Sequence, residues 1–186
     1  FFRVLEWTGE LHGRESQRFA WQFPDALSVD PLLPANAPIL QALKLLPVYA
    51  ITNAAELGVR EFMRRLERAL AAGLNLLQVR EKEMPADGLL RFAVEVVRLA
   101  RAHGARVLVN GDATLAQRAG ADGVHLTSAR LKRLDQRPAL ALVGASCHDA
   151  DELALARALG ADFVVLGPVL PTPSHPGAAG IGWDGL

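Results

Sequence analysis

Ala116-Gln117-Arg118-Ala119-Gly120-Ala121-Asp122-Gly123-Val124 is echoed by Ala156-Arg157-Ala158-Leu159-Gly160-Ala161-Asp162-Phe163-Val164. Each copy reads as the end of a helix, a glycine suited to the left-handed position after it, and the start of an apolar strand. Ala71-Ala72-Gly73-Leu74-Asn75-Leu76 is a looser third copy. Reusing one helix-to-strand joint is what a (β/α) barrel does. The text around the repeat agrees. Apolar runs at 48–52, 76–80, 107–110, 123–126, 142–146 and 163–166 alternate with helical stretches at 59–72, 87–103, 113–119, 128–134 and 149–159. Strands alternating with helices of this length argue for βαβ units and a parallel sheet. Six strands fall short of the eight a closed barrel needs. The fold class expected is therefore α/β, a TIM-type (β/α)8 barrel truncated after about six βα units. A doubly wound open sheet is the alternative.

Residues 1–46 read differently from 47–186. They are aromatic-rich, with Trp7, Trp21 and Phe23, and are interrupted by Pro31, Pro34 and Pro38. Pro38 suits the first turn of a short helix over 39–46. This stretch is too small for a domain and reads as the tail of one. The chain opens on Phe1-Phe2 without an initiator Met and stops just after Gly180-Ile181-Gly182-Trp183-Asp184 starts to read as a further helix. Both ends look like cuts. Expressed alone, such a chain is expected to be poorly soluble and inactive, because missing βα units leave strand edges unpaired.

The composition is 51% hydrophobic and 22% charged, with 20 basic and 20 acidic side chains. It fits a globular protein with a real core and gives no general attraction to nucleic acid or anionic membranes. Neither is expected as a partner, while self-association stays open. The single cysteine, Cys147, excludes an intrachain disulfide and fits a reducing cytoplasm. No apolar run approaches the ~20 residues of a membrane span.

In a parallel barrel the chemistry sits at the C-terminal strand ends. Those positions carry Thr52, Gln78, Arg80, Lys82, Asn110, Asp112, His125, Thr127, Ser146 and His148. Alternation along a strand places Gln78, Arg80 and Lys82 on one face. Two cations aimed inward call for an anion, and phosphate is the natural one. The bland alternative pairs them with Glu81, Glu83 or Asp112. His148, just past a strand end, suits general acid–base work or caps the helix that follows. Cys147 reads as a small packing residue. The loop from Gly167 through Thr172 and Ser174 offers hydroxyls and N–H groups to a phosphate.

As a set, Val48-Tyr49-Ala50-Ile51-Thr52, Gln78-Val79-Arg80-Glu81-Lys82, Val109-Asn110, Gly120 to Leu126, Gly144-Ala145-Ser146-Cys147-His148 and Gly167 to Ser174 resemble the thiamin-phosphate synthase/thiazole tautomerase (TenI-like) superfamily. The resemblance implies a (β/α)8 barrel whose substrates are small phosphorylated thiazoles and pyrimidines. It assigns Gln78, Arg80, Lys82, Asn110, Ser146, Thr172 and Ser174 to substrate and phosphate binding. Synthases join a pyrimidine pyrophosphate to a thiazole phosphate with Mg²⁺. The two magnesium-binding aspartates, however, fall on Gly111 and Arg130, with Asp112 one residue away, and the loop lysine falls on His175. Tautomerases need no metal, and their histidine falls on His148. The expectation is therefore a metal-independent, tautomerase-like proton transfer with His148 as catalytic residue. The alternatives are a Mg²⁺-dependent synthase using Asp112, and a non-catalytic phosphate-binding or regulatory module.

Residues 1–46 resemble something else. Trp7-Thr8-Gly9-Glu10, Gly13 to Gln17, Trp21 and Leu33 to Leu40 are similar to the C-terminal part of a Nudix (MutT-like) hydrolase of the oxidised-nucleotide-sanitising type. That resemblance assigns purine recognition to Asn36. It also implies Mg²⁺ for a catalytic Nudix helix that this chain lacks, and a Nudix–barrel fusion as the parent protein.

Overall fold

The computed structural model describes residues 4, 6–13, 18–24, 26–44, 48–172 and 180–185. The chain divides into two compact units, Phe1–Leu45 and Leu46–Leu186. In the first, a 3₁₀ turn at Pro34–Asn36 leads into α1 (Ala37–Lys44), with Pro38 in its first turn. Trp7 and Trp21 stack with ring centroids 5.5 Å apart.

The second unit is one six-stranded parallel sheet with helices. Its elements run β1 (Ala50–Ile51), α2 (Ala54–Leu57), α3 (Val59–Ala71), β2 (Leu76–Val79), α4 (Ala86–Ala102), β3 (Arg106–Asn110), α5 (Ala113–Ala119), β4 (Gly123–Leu126), α6 (Ser128–Leu131), β5 (Leu142–Cys147), α7 (Ala150–Leu159) and β6 (Phe163–Leu166). The hydrogen-bonded order is β1-β2-β3-β4-β5-β6, all parallel. A doubly wound sheet reverses its order at a switch point. This one never does, so the open-sheet alternative is overturned in favour of a TIM-like half-barrel.

The repeated joint has a definite physical basis. Gly120 (φ 68°) and Gly160 (φ 77°) end α5 and α7 in the left-handed conformation that a side chain resists. Two residues on, Asp122 and Asp162 repeat one bonding pattern. The Asp122 carboxylate accepts from Val107 N–H at 2.8 Å while its own N–H donates to Val107 O at 2.9 Å. Asp162 does the same with Val143, at 2.7 and 2.8 Å. Each aspartate thus ties the start of its own strand to the start of the preceding one and fixes the parallel register.

Alternation divides the side chains between two faces. Leu77, Val79, Val107, Val109, Val124, Leu126, Val143 and Ala145 join the core with Leu66, Leu70, Phe92, Val96 and Ala116 from the helices. The opposite parity, Leu76, Gln78, Leu108, Asn110, His125, Gly144 and Ser146, faces the concave side. The sheet curls. Tyr49, just before β1, meets Phe163 of β6 edge-to-face at 5.2 Å, although the two strands stand at opposite ends of the hydrogen-bonded order. Gly144 is required between them, since a Cβ there would stand 2.6 Å from the Phe163 ring and 2.8 Å from His125 Nδ1.

Elements differ from expectation mainly at their ends. The 128–134 helix stops at Leu131, and α2 was not foreseen. The strand expected over 48–52 pairs only at Ala50 and Ile51. Among the described residues no helix is long and apolar enough to cross a membrane.

Candidate active site

The C-terminal strand ends enclose a cavity of about 580 Å³. Its wall is built strand by strand: Tyr49 and Ile51 at β1, Gln78 and Arg80 at β2, Asn110 at β3, His125 at β4, Ser146 and His148 at β5, Val165 at β6, then Gly167, Pro168 and Thr172 from the following loop. A second hollow, of about 510 Å³, lies in the first unit between Leu11 and Trp21, but its lining is entirely exposed.

Backbone bonds hold Arg80 in place. Its N–H donates to Thr52 Oγ1 at 2.9 Å, and Thr52 N–H donates to Gln78 O at 3.0 Å, so the ends of β1 and β2 are stitched together. The next residue, Glu81, is buried and accepts from Ala54 N–H (2.7 Å) and Ala55 N–H (3.1 Å) at the start of α2. Glu81 is therefore a helix anchor. Among the described residues no ion pair joins Arg80 or Lys82 to Glu81, Glu83 or Asp112, so the structural network weighed for these cations is not formed. Gln78 Nε2 donates to Asn110 Oδ1 at 3.1 Å, which turns the Asn110 amide nitrogen away from Gln78 as a donor.

His125 lies at the floor of the cavity, buried between two hydroxyls. Tyr49 OH is 3.1 Å from Nδ1 and Ser146 Oγ is 2.9 Å from Nε2. Burial, reinforced by the charge of Arg80, holds its pKa down to about 4, so the ring is neutral at physiological pH. Burial also pushes the Tyr49 phenol well above its usual range.

His148 lies on the rim. Its N–H donates to Glu152 Oε2 at 2.8 Å, and its Nδ1 is 2.9 Å from the same oxygen. Glu152 is buried and also receives Ser128 Oγ (2.5 Å) and Lys132 Nζ (2.7 Å). Burial alone would push this carboxyl up. The hydrogen bonds from Lys132, Ser128 and His148 outweigh it and hold the pKa at about 2. Asp149 caps α7 in place of His148, accepting from Glu152 N–H at 2.7 Å.

Of the residues expected from sequence, Gln78, Arg80, Asn110, Ser146, His148 and Thr172 meet around this cavity. Lys82 does not. β2 ends at Val79; Arg80 keeps the parity because its N–H is still held by Thr52 Oγ1, but the chain then turns and Lys82 is exposed off the cavity wall. Ser174 and His175 lie outside the described residues. Asn36, half-buried at the end of the 3₁₀ turn, belongs to the first unit. Asp112 is committed elsewhere: its Oδ1 caps α5, accepting from Thr114 N–H (2.8 Å) and Leu115 N–H (3.0 Å). Among the described residues no three His, Cys, Asp or Glu side chains come together as a metal site. Gly111 and Arg130 stand where the resemblance put carboxylates, so the residues present do not fit a magnesium ion. Sequence reasoning placed His125 among the polar strand ends without giving it a role, and gave Tyr49 no place in the site. The parity that places Asn110 inside also places His125 there, since the two are register partners.

The family described as TMP-TENI, thiamine monophosphate synthase, matches residues 48–186. The chain belongs to this family. A putative thiamine-phosphate synthase of Geobacter sulfurreducens is 43% identical over 130 residues, covering 68% of this chain and 61% of the relative. A thiamine-phosphate synthase of Thermosynechococcus vestitus is 35% identical over 99% of this chain and 53% of its own length. Among solved structures, thiamine phosphate pyrophosphorylase from Pyrococcus furiosus matches with a TM-score of 0.57 and 28% identity, over 74% of this chain and 65% of that one. The chain thus spans between about half and three-fifths of the length of these two curated relatives. The family match begins at residue 48, and the Thermosynechococcus match takes in nearly the whole chain, so the Nudix resemblance of residues 1–46 gains no support from either.

Proposed function

We propose that the cavity is the substrate site of a thiamine-phosphate synthase, which joins a pyrimidine diphosphate to a thiazole phosphate with release of pyrophosphate. The observation that carries this reading is Arg80, fixed by Thr52 and aimed into a cavity whose other polar groups, Gln78, Asn110 and Ser146, are hydrogen-bonding amides and a hydroxyl. A guanidinium with neutral donors suits a diphosphate. In the reaction a C–N bond forms to the ring nitrogen of the thiazole while the C–O bond to the diphosphate breaks, and its electron pair leaves with pyrophosphate. Groups fixed where that charge develops lower the barrier. Arg80 supplies the positive charge and the Asn110 amide a donor held by Gln78. The apolar wall of Ile51 and Val165 leaves room for a flat ring. No step is routed through a metal, since the described side chains do not build a site for one.

This reading takes the synthase alternative in place of the expected tautomerase, which the comparisons do not support. The relatives' names favour the synthase, and the fixed polar groups of the cavity are suited to an anion. His148 remains the residue on which the proton-transfer reading depends, because the Glu152 carboxylate orients its imidazole at the rim. Incubating the full-length protein with both substrates and following coupled product by mass spectrometry tests the proposal. Arg80→Met should lower kcat/KM about ten- to a hundred-fold, the loss of one charge-assisted hydrogen bond. Lys82→Ala should change it by less than about three-fold, as expected of an exposed charge. Binding of both substrates without product would favour a non-catalytic module. Isomerisation of a thiazole phosphate that is lost in His148→Ala would restore the tautomerase.

A further inference from the structure

We infer that Tyr49 and His125 are positioning residues that aim the Ser146 hydroxyl, as a hydrogen-bond donor, at the anionic end of the ligand. This deepens the site reading above and rests on it. The argument is one of proton direction. The Tyr49 hydroxyl is mostly buried, and its partner among the described residues is His125 Nδ1, at 3.1 Å. A phenol O–H is a stronger donor than a neutral imidazole N–H, and an imidazole nitrogen is a better acceptor than a phenol oxygen, while burial keeps the Tyr49 phenol protonated. Tyr49 therefore donates and Nδ1 accepts. A neutral imidazole then carries its proton on Nε2, which donates to Ser146 Oγ at 2.9 Å. With one lone pair of Oγ taken up by His125, the serine's own hydrogen points away from the ring, and Ser146 lines the cavity.

The opposite polarity would make Ser146 a donor to an accepting Nε2, which is how a histidine activates a nucleophilic serine. The chain inferred from these partners runs the other way, so Ser146 binds and does not attack. The ring is held where this works. The absence of a side chain at Gly144 lets the imidazole lie against β5. Phe163 packs on it at 6.0 Å and Tyr49 at 5.7 Å. The charged group facing it is Arg80, which together with burial keeps it neutral down to about pH 4.

The test joins a spectroscopic and a binding measurement on the full-length protein. Nitrogen-15 NMR of histidine-labelled protein should show His125 with a protonated Nε2 and a bare Nδ1, unchanged from pH 5 to 8. Tyr49→Phe should mix the two tautomers. Inorganic pyrophosphate is the probe for binding. Ser146→Ala and His125→Ala should each weaken it about ten- to a hundred-and-fifty-fold, the range for one hydrogen bond to a charged group. The double variant should bind no more weakly than Ser146→Ala. A residue that is merely structural would give additive losses. A protonated Nδ1, titration near pH 6.5, or additive losses would each overturn the inference. If wild type shows the Nε2–H tautomer but does not bind pyrophosphate, the diphosphate reading fails and Ser146 loses its assigned ligand.

Discussion

Glu152 offers a quantitative test of how the rim is built. Its carboxylate, in α7, is the single acceptor for groups from two neighbouring βα units: Ser128 and Lys132 from the segment after β4, and His148 N–H and Nδ1 from the end of β5. Glu152→Gln keeps the shape and one acceptor oxygen but removes the charge. One amide oxygen cannot serve four donors, and its NH₂ faces groups that are themselves donors. Hydrogen bonds to a charged group are each worth about 1.5–3 kcal/mol. Lys132 is half exposed, so its share is screened to below about 1 kcal/mol. The expected loss is therefore about 2–3 kcal/mol, or roughly 4–12 °C in Tm at the 2–4 °C per kcal/mol typical of a chain this size.

The sign of the pH dependence follows from the same carboxylate. Its folded pKa, about 2, lies below the ordinary value of 4.5, so its contribution is fully present above about pH 4.5 and is lost as pH falls toward 2. Wild type and Glu152→Gln should differ most at neutral pH and converge in acid. Melting both by circular dichroism at pH 7 and pH 3 measures this. A Tm difference below about 1 °C at pH 7, or one that grows in acid, would refute the account.

Two further substitutions probe the fold under the site. Gly144→Ala places a Cβ 2.6 Å from Phe163 and 2.8 Å from His125, so the aromatic floor must shift, and overpacking of this kind costs about 1–3 kcal/mol, read from the same melts. Asp162→Ala removes the acceptor for Val143 N–H and the partner of Arg137 Nη2 (2.7 Å each), with an expected loss of about 1–3 kcal/mol, and a near-neutral result would mean that the repeated joint is not what fixes register.

The repeat was legible because it encodes geometry directly. Glycine is needed where φ is positive, and an acidic side chain is needed to meet the N–H of the preceding strand, so the Gly-Ala-Asp triplet recurs wherever the joint does. The inward parity was legible too, and with it Gln78, Arg80, Asn110 and Ser146. It fails at Lys82 because alternation belongs to a hydrogen-bonded chain, and beyond Arg80, the last residue tied to β1 through Thr52, the chain turns. Glu81 shows the same limit from the other side. Beside two cations it reads as their counter-ion, yet the two free N–H groups at the start of α2 take both of its oxygens. Those N–H groups became visible only with a helix that the sequence did not announce.

Tyr49 and His125 illustrate a different limit. Tyr49 sits in an apolar run and His125 at a polar strand end, and neither says alone what it touches. Their meaning comes from closure. Only when the sheet curls far enough to bring the β1 end of the order to β6 does Tyr49 reach both His125 and Phe163, and only then is there a floor beneath the polar rim. A polar rim without that floor would be a row of hydrated side chains. With it, the hydroxyl of Ser146 has a fixed direction and Arg80 faces a neutral ring. The anion recognition proposed for this site is therefore a property of the curled sheet as much as of the residues on its edge.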